Sequence, residues 1–191
     1  MIEWLNHLDT ALFLFLNSFH HPVADSVMVV ISAKGTWVPL YLAILILLIH
    51  RFRRRAWIPV VAALVLFALT DLASVHLLKN TVMRLRPCHE PLLQGLVHTV
   101  NGKCGGMYGF VSSHAANTFG FATLMALVFR KSIPWLGWCL IAWAAVVSYS
   151  RIYLGVHYPG DIIGGAMLGA IPGWLIWRFL RRHLMPGQKA G

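Results

Sequence analysis

Five stretches of the chain are almost continuously apolar, and polar residues collect between them. They cover residues 33–50, 56–78, 115–129, 133–149 and 162–180. A run of about 20 such residues makes a helix of roughly 30 Å, enough to cross the hydrocarbon core of a bilayer. The third and fourth runs are short and borrow a turn from their flanks. Any one run alone could be a buried core helix, but five within 191 residues predict a polytopic, all-α membrane helix bundle.

Residues 1–32 read differently. An apolar run at 11–16 is interrupted by Asn17, His20, His21 and Pro22, and a second at 27–31 follows Asp25. This pattern predicts two short helices lying at the membrane interface, with a sixth transmembrane helix as the competing arrangement. Glu3 and Asp9 stand where a cleavable signal peptide would carry positive charge. The expected division is interfacial helices over 1–32, the bundle with an outward-facing site over 33–184, and a flexible tail over 185–191. No internal repeat or low-complexity segment is present.

Composition sharpens the class. Hydrophobic residues make up 58% and charged residues 12% of the chain, where a soluble domain carries about a quarter charged. Disorder, a collagen-like chain and a soluble nucleic-acid binder are excluded. The net charge of +10, from 16 basic and 6 acidic residues, is distributed by topology. Arg51, Arg53, Arg54 and Arg55 fill one turn, Arg130 and Lys131 another, and Arg178, Arg181, Arg182 and Lys189 follow the last run. If five spans alternate, these ten share one side, which the positive-inside tendency assigns to the cytoplasm. Lys34, Lys79, Arg84, Arg86, Lys103 and Arg151 fall on the other side against that tendency, which points to a local purpose.

Three segments at the outer ends carry candidate chemistry. In the first, Lys79 and Arg86 are seven residues apart, a spacing that would place both on one helix face, and Pro87 ends the segment. Two cations there suit either a phosphate or anionic headgroups. In the second, Ser112 or Ser113 can cap the helix that follows, leaving amide N–H groups for an anion, with His114 in the first turn to donate a proton. In the third, Pro159 suits a first helical turn, so Asp161 can reach back to His157, fix its tautomer and leave the other ring nitrogen free to attack. Arg151 adds a planar fork for phosphate oxygens. No dense acidic cluster of the kind that holds magnesium accompanies them, and no metal or cofactor is expected.

These segments identify a resemblance to the type 2 phosphatidic acid phosphatase superfamily of integral membrane lipid phosphatases. Its Lys-x6-Arg-Pro motif matches at Lys79, Arg86 and Pro87, and its Ser-Arg-x5-His-x3-Asp motif at Ser150, Arg151, His157 and Asp161. The middle motif, usually Pro-Ser-Gly-His, reads Val111-Ser112-Ser113-His114, with a side chain where the glycine normally stands. The resemblance covers about residues 33–182. It implies that His157 attacks phosphorus, Asp161 orients it, His114 protonates the leaving alkoxide, and Lys79, Arg86, Arg151 and the Ser112–Ser113 segment neutralise the phosphoryl oxygens.

The expected function is metal-independent hydrolysis of a membrane lipid phosphate through a phosphohistidine. The candidates are undecaprenyl pyrophosphate, phosphatidylglycerol phosphate, phosphatidic acid and a lipid A phosphate. A lipid-to-lipid phosphotransferase and a catalytically silent transporter or scaffold are the alternatives; a vanadium haloperoxidase shares the motifs but is usually soluble. The partners expected are the bilayer and its lipid phosphate, not nucleic acid, and the sequence leaves oligomeric state open. The expected location is a bacterial inner membrane, with the site facing the periplasm or exterior.

Other positions have plainer readings. Asp71 and His76, near the outer end of the second span, are expected to hydrogen-bond a neighbouring helix. Gly165, Gly169 and Gly173 form a small-residue seam for close helix packing, and Pro172 is expected to bend that helix. Trp135, Trp138, Trp174 and Trp177 include interfacial anchors. On this topology Cys88 and Cys104 face an oxidising compartment and are expected to be bridged, while Cys139 lies inside the fourth span.

Overall fold

The structure, a computed structural model, describes residues 2–184; the tail expected at 185–191 lies outside them. Two helices, α1 (Ile2–Asn17) and α2 (Pro22–Ser32), precede α3 (Val38–Phe52) and α4 (Trp57–Leu72). α4 runs on through a π-helical segment, Ala73–Lys79, into one further turn, α5 (Asn80–Val82). After a long outer segment come α6 (Ser113–Phe129), α7 (Pro134–Tyr153) and α8 (Pro159–Leu184). Pro22, Pro134 and Pro159 open their helices, where a missing N–H costs nothing. Among the described residues the sole β-type pairing is an isolated bridge between Leu85 and Tyr108.

Each apolar run corresponds to one helix. Among the described residues four helical segments are long and apolar enough to span: Lys34–Arg55, Trp57–Val82, Pro134–Tyr153 and Pro159–Leu184. α6, with 17 residues, is shorter and sits inside the bundle, with Ala115, Ala116, Ala122, Leu124 and Met125 fully buried. Enclosure by α4, α7 and α8 explains why it needs no lipid-length apolar surface. The protein is a multi-pass membrane protein whose outer surface exposes large apolar side chains, among them Ile46, Leu64, Ile163 and Phe179.

The N-terminal pair is bent by 117° at its break. α1 exposes Trp4, Leu5, Leu8, Leu12 and Phe15, while Phe13 is buried edge-on against Tyr158. Asn17, which interrupts the apolar pattern, closes the end of α7. Its buried amide donates to the carbonyls of Tyr153 at 2.8 Å and Ile152 at 3.1 Å.

The closest helix pairing brings two motif segments together. α8 lays its glycine seam on α6: a Cβ at Gly165 would lie 2.5 Å from the Ser112 carbonyl oxygen, and one at Gly173 would lie 2.8 Å from that of Gly120. Tyr41, Phe67, Phe121 and Trp143 fill the adjoining core, with Tyr41 edge-on to Phe121 at a centroid distance of 5.1 Å. At the basic end, the Arg130 guanidinium covers the ring of Trp177 at 4.5 Å. Trp177 is therefore buried core, whereas Trp135 and Trp138 are exposed as anchors are.

Candidate active site

Lys79 and Arg86 reach the same cavity, but not along one helix face. Met83 adopts φ +48°, a left-handed conformation that stops the helix after Val82, and the chain leaves it through the bridged Leu85 and the extended Arg86. The seven-residue spacing is thus a chain reversal. Pro87 restricts Arg86 as expected, and the helix has already ended at Val82, before either residue. The Arg86 guanidinium is aimed by the outer segment: Nη1 donates to the Cys104 carbonyl at 2.7 Å and Nε to that of Tyr108 at 3.2 Å. Cys104 is tied to Cys88 by a disulfide, with Cα atoms 6.0 Å apart. Gly105, at φ +83°, leaves room for this guanidinium, since a Cβ there would lie 2.8 Å from Nη1.

The α6 start divides its two serines. Ser112 is the buried N-cap, accepting from the Ala115 amide at 3.4 Å, and its side chain does not line the cavity. Of the two serines expected as caps, Ser112 is the one that caps, and its hydroxyl serves its own helix. Ser113 does line the cavity; its Oγ accepts from Lys79 Nζ at 3.0 Å and lies 2.8 Å from Ser74 Oγ. The side chain that replaces the usual glycine therefore holds the motif lysine.

His157 and Asp161 bracket the start of α8. Both are buried, His157 lining the cavity and Asp161 behind it. Asp161 Oδ2 lies 3.3 Å from His157 Nδ1 and accepts the Tyr158 amide at 3.0 Å. Burial pushes the His157 pKa down, to about 4, against the raising influence of the Asp161 hydrogen bond and charge. The imidazole is then neutral at ordinary pH, with Nδ1 directed to the carboxylate. The Ser112 amide also donates to the Asp161 carbonyl at 3.0 Å, tying the second motif segment to the third.

Two residues that no motif marks complete this arrangement. Arg84 Nη1 lies 3.1 Å from Asp161 Oδ1, and Arg84 Nη2 lies 2.8 Å from Asp9 Oδ2. The same guanidinium stacks over the Tyr158 ring at 4.0 Å. Asp9, from α1, also accepts the Gly160 amide at 2.7 Å. Their signal in the sequence was slight: a basic residue on the wrong side for topology, and an acid inside an amphipathic helix. Gly109 is equally unmarked; a Cβ there would lie 2.9 Å from Asp161 Oδ2.

The cavity has a volume of about 760 Å³. Lys79, Arg86, Ser113, His114, Arg151 and His157 line its polar end, and residues of α3, α4 and α6 line the rest. Arg151 is held by a hydrogen bond to Ser32 Oγ from α2. Such a ring of cations around a neutral histidine can bind a phosphoryl group and stabilise the charge that develops in its transfer. Among the described residues one trio has metal-ligand spacing, Cys88, His89 and Cys104. Its two sulfurs are joined to each other and so offer no thiolates.

Known proteins resemble the chain in sequence and fold. The chain is 40% identical over 202 residues to a lipid A 4'-phosphatase of Bacteroides thetaiotaomicron, covering 100% of this chain and 88% of that one. It is 37% identical over 179 residues to a lipid A 4'-phosphatase of Porphyromonas gingivalis, covering 93% of this chain and 75% of that one. In fold it resembles the crystal structure of a PAP2-type phosphatidylglycerolphosphate phosphatase from Bacillus subtilis, with a TM-score of 0.72 at 23% identity over 96% of this chain and 89% of that one. Residues 59–184 match the PAP2 superfamily, and the chain belongs to that family of membrane phosphatases.

Proposed function

We propose that this lipid phosphatase hydrolyses a phosphomonoester of a sugar-bearing membrane lipid of the lipid A type, through a phosphohistidine on His157. The carrying observation is the buried His157–Asp161 pair at one end of a cavity ringed by Lys79, Arg86, Arg151 and His114. The 40% identity to a lipid A 4'-phosphatase over the whole chain favours that substrate over a prenyl diphosphate.

In the first step His157 Nε2 attacks phosphorus, the bond from phosphorus to the lipid oxygen breaks, and His114 gives its proton to the departing alkoxide. Asp161 accepts the Nδ1 hydrogen bond and stabilises the positive charge the ring acquires. Bound phosphate supplies the negative charge that favours protonated His114 beforehand. In the second step water attacks phosphorus, His114 takes its proton, the N–P bond breaks and inorganic phosphate leaves. Lys79, Arg86 and Arg151 offset the oxygen charge in both steps; positioning and charge suffice for such a transfer.

The site would open to the periplasmic side of a bacterial inner membrane. The basic turns at the opposite end support that orientation, as does the disulfide beside the site. The test is phosphate release by the purified protein from lipid A, undecaprenyl diphosphate, phosphatidylglycerol phosphate and phosphatidic acid, beside His157→Ala. Lipid A should be hydrolysed fastest and His157→Ala should be inactive.

A further inference from the structure

Away from the phosphate end, the cavity carries a second polar group that the chemistry above does not use. Asp71 lines it from α4, about two helical turns deeper in the membrane than Lys79. Its Oδ1 accepts from Asn117 Nδ2 at 2.9 Å, and Asn117 Oδ1 in turn accepts from Thr70 Oγ1. Among the described residues Asp71 Oδ2 has no hydrogen-bond partner. This meets the expectation that Asp71 bonds a neighbouring helix, but a helix contact alone would not need a carboxylate in an open cavity. An ionisable side chain at that depth is costly, and it persists where a ligand or pathway uses it.

Its charge excludes the phosphate as its partner, so it calls for a hydrogen-bond donor, a hydroxyl or an amine. Trp37 and Tyr41 also line the cavity, and their rings are held by neighbouring aromatics. A sugar ring suits both kinds of wall: its hydroxyls donate to carboxylate and amide oxygens, and its C–H face lies against aromatic rings. A prenyl or acyl chain offers no donor to Asp71.

We propose that Asp71 and Asn117, together with Trp37 and Tyr41, form a sugar subsite that selects a glycosyl lipid phosphate over other lipid phosphates. This rests on the functional reading above and names the residues behind its specificity.

The test uses Asp71→Asn, which keeps the shape and an oxygen to accept from Asn117, and Tyr41→Leu as an independent change on the aromatic wall. The kcat/KM for lipid A should fall about tenfold or more with each, the effect of one or two lost ligand contacts. The kcat/KM for phosphatidic acid and undecaprenyl diphosphate should be unchanged. In a second arm, glucosamine 4-phosphate and inorganic phosphate compete with phosphatidic acid hydrolysis. The sugar phosphate should inhibit the wild type at lower concentration, and Asp71→Asn should erase the gap. A uniform loss across all three lipids, as expected if Asp71 acts only through the charge of Lys79, overturns the proposal. So does the absence of a gap in the wild type. A wild type that shows the gap but hydrolyses lipid A no faster than the other lipids overturns the substrate reading and leaves the sugar subsite standing.

Discussion

Arg84 donates to Asp161 Oδ1 at 3.1 Å, through the carboxylate oxygen that His157 does not use. One carboxylate therefore faces a permanent cation on one side and the imidazole of His157, the proposed nucleophile, on the other. Arg84 is itself fixed by Asp9 and by the Tyr158 ring. On the proposed mechanism Arg84 is a positioning residue that acts on the reaction through Asp161.

This predicts a shift in pH dependence for Arg84→Gln. On the proposed mechanism His157 attacks as the neutral ring, so activity should rise as pH rises through its pKa, and burial places that pKa low, at about 4. Without the Arg84 charge, Asp161 is less neutralised and favours the imidazolium more. The acid limb of kcat/KM should move to higher pH by about one unit, with kcat reduced about tenfold. A merely structural Arg84 would lower activity without moving the limb.

The disulfide is predicted to act through Arg86. The Cys104 carbonyl that accepts from Arg86 is held by the bridge to Cys88. Replacing both cysteines with serine, or reducing the bridge, should raise KM several-fold at nearly constant kcat before the bundle unfolds. The crosslink also restrains the unfolded chain by about 3 kcal/mol on the entropy model, so thermal stability should fall as well. An unchanged KM in a folded double-serine variant would show that Arg86 is aimed without the bridge.

The glycine seam should be intolerant of side chains. A Cβ at Gly165 would meet the Ser112 carbonyl at 2.5 Å, and helix backbones cannot yield as a flexible side chain can. Gly165→Ala should lower stability by about 1–3 kcal/mol, the usual cost of overpacking, and lower kcat with it. The coupling arises because the displaced segment carries the Ser112 amide that bonds Asp161. Detergent melts beside kinetics test both effects.

Much of this was legible in the sequence because membranes simplify the code. Apolar runs mark helices, arginine-rich turns mark one side, and the spacing from Ser150 to Asp161 marks a histidine with its carboxylate. What escaped depended on long-range geometry. Arg84 and Asp9 are 75 residues apart in the chain, and no local pattern pairs them. Met83 ended its helix early in a conformation that its residue type does not announce. The two adjacent serines read as equivalent caps, yet one turns into its own helix and the other onto Lys79.

Catalysis is predicted to proceed without a divalent metal, because the cationic side chains Lys79, Arg86 and Arg151 already line the phosphate end. Phosphate release should persist in excess chelator. Loss of turnover that magnesium restores would assign the charge stabilisation to an ion instead.

The covalent step can be read directly. Enzyme mixed with lipid carrying radioactive phosphate, quenched in alkali and digested, should yield label on the peptide containing His157, stable to base and lost in acid as an N–P bond is. His114→Ala, which lacks the acid of the first step and the base of the second, should either trap the label without releasing it or nearly abolish turnover, and His157→Ala should carry none. Turnover by the wild type with no label bound to the protein, or hydrolysis by His157→Ala at the wild-type rate, would contradict His157 as the nucleophile.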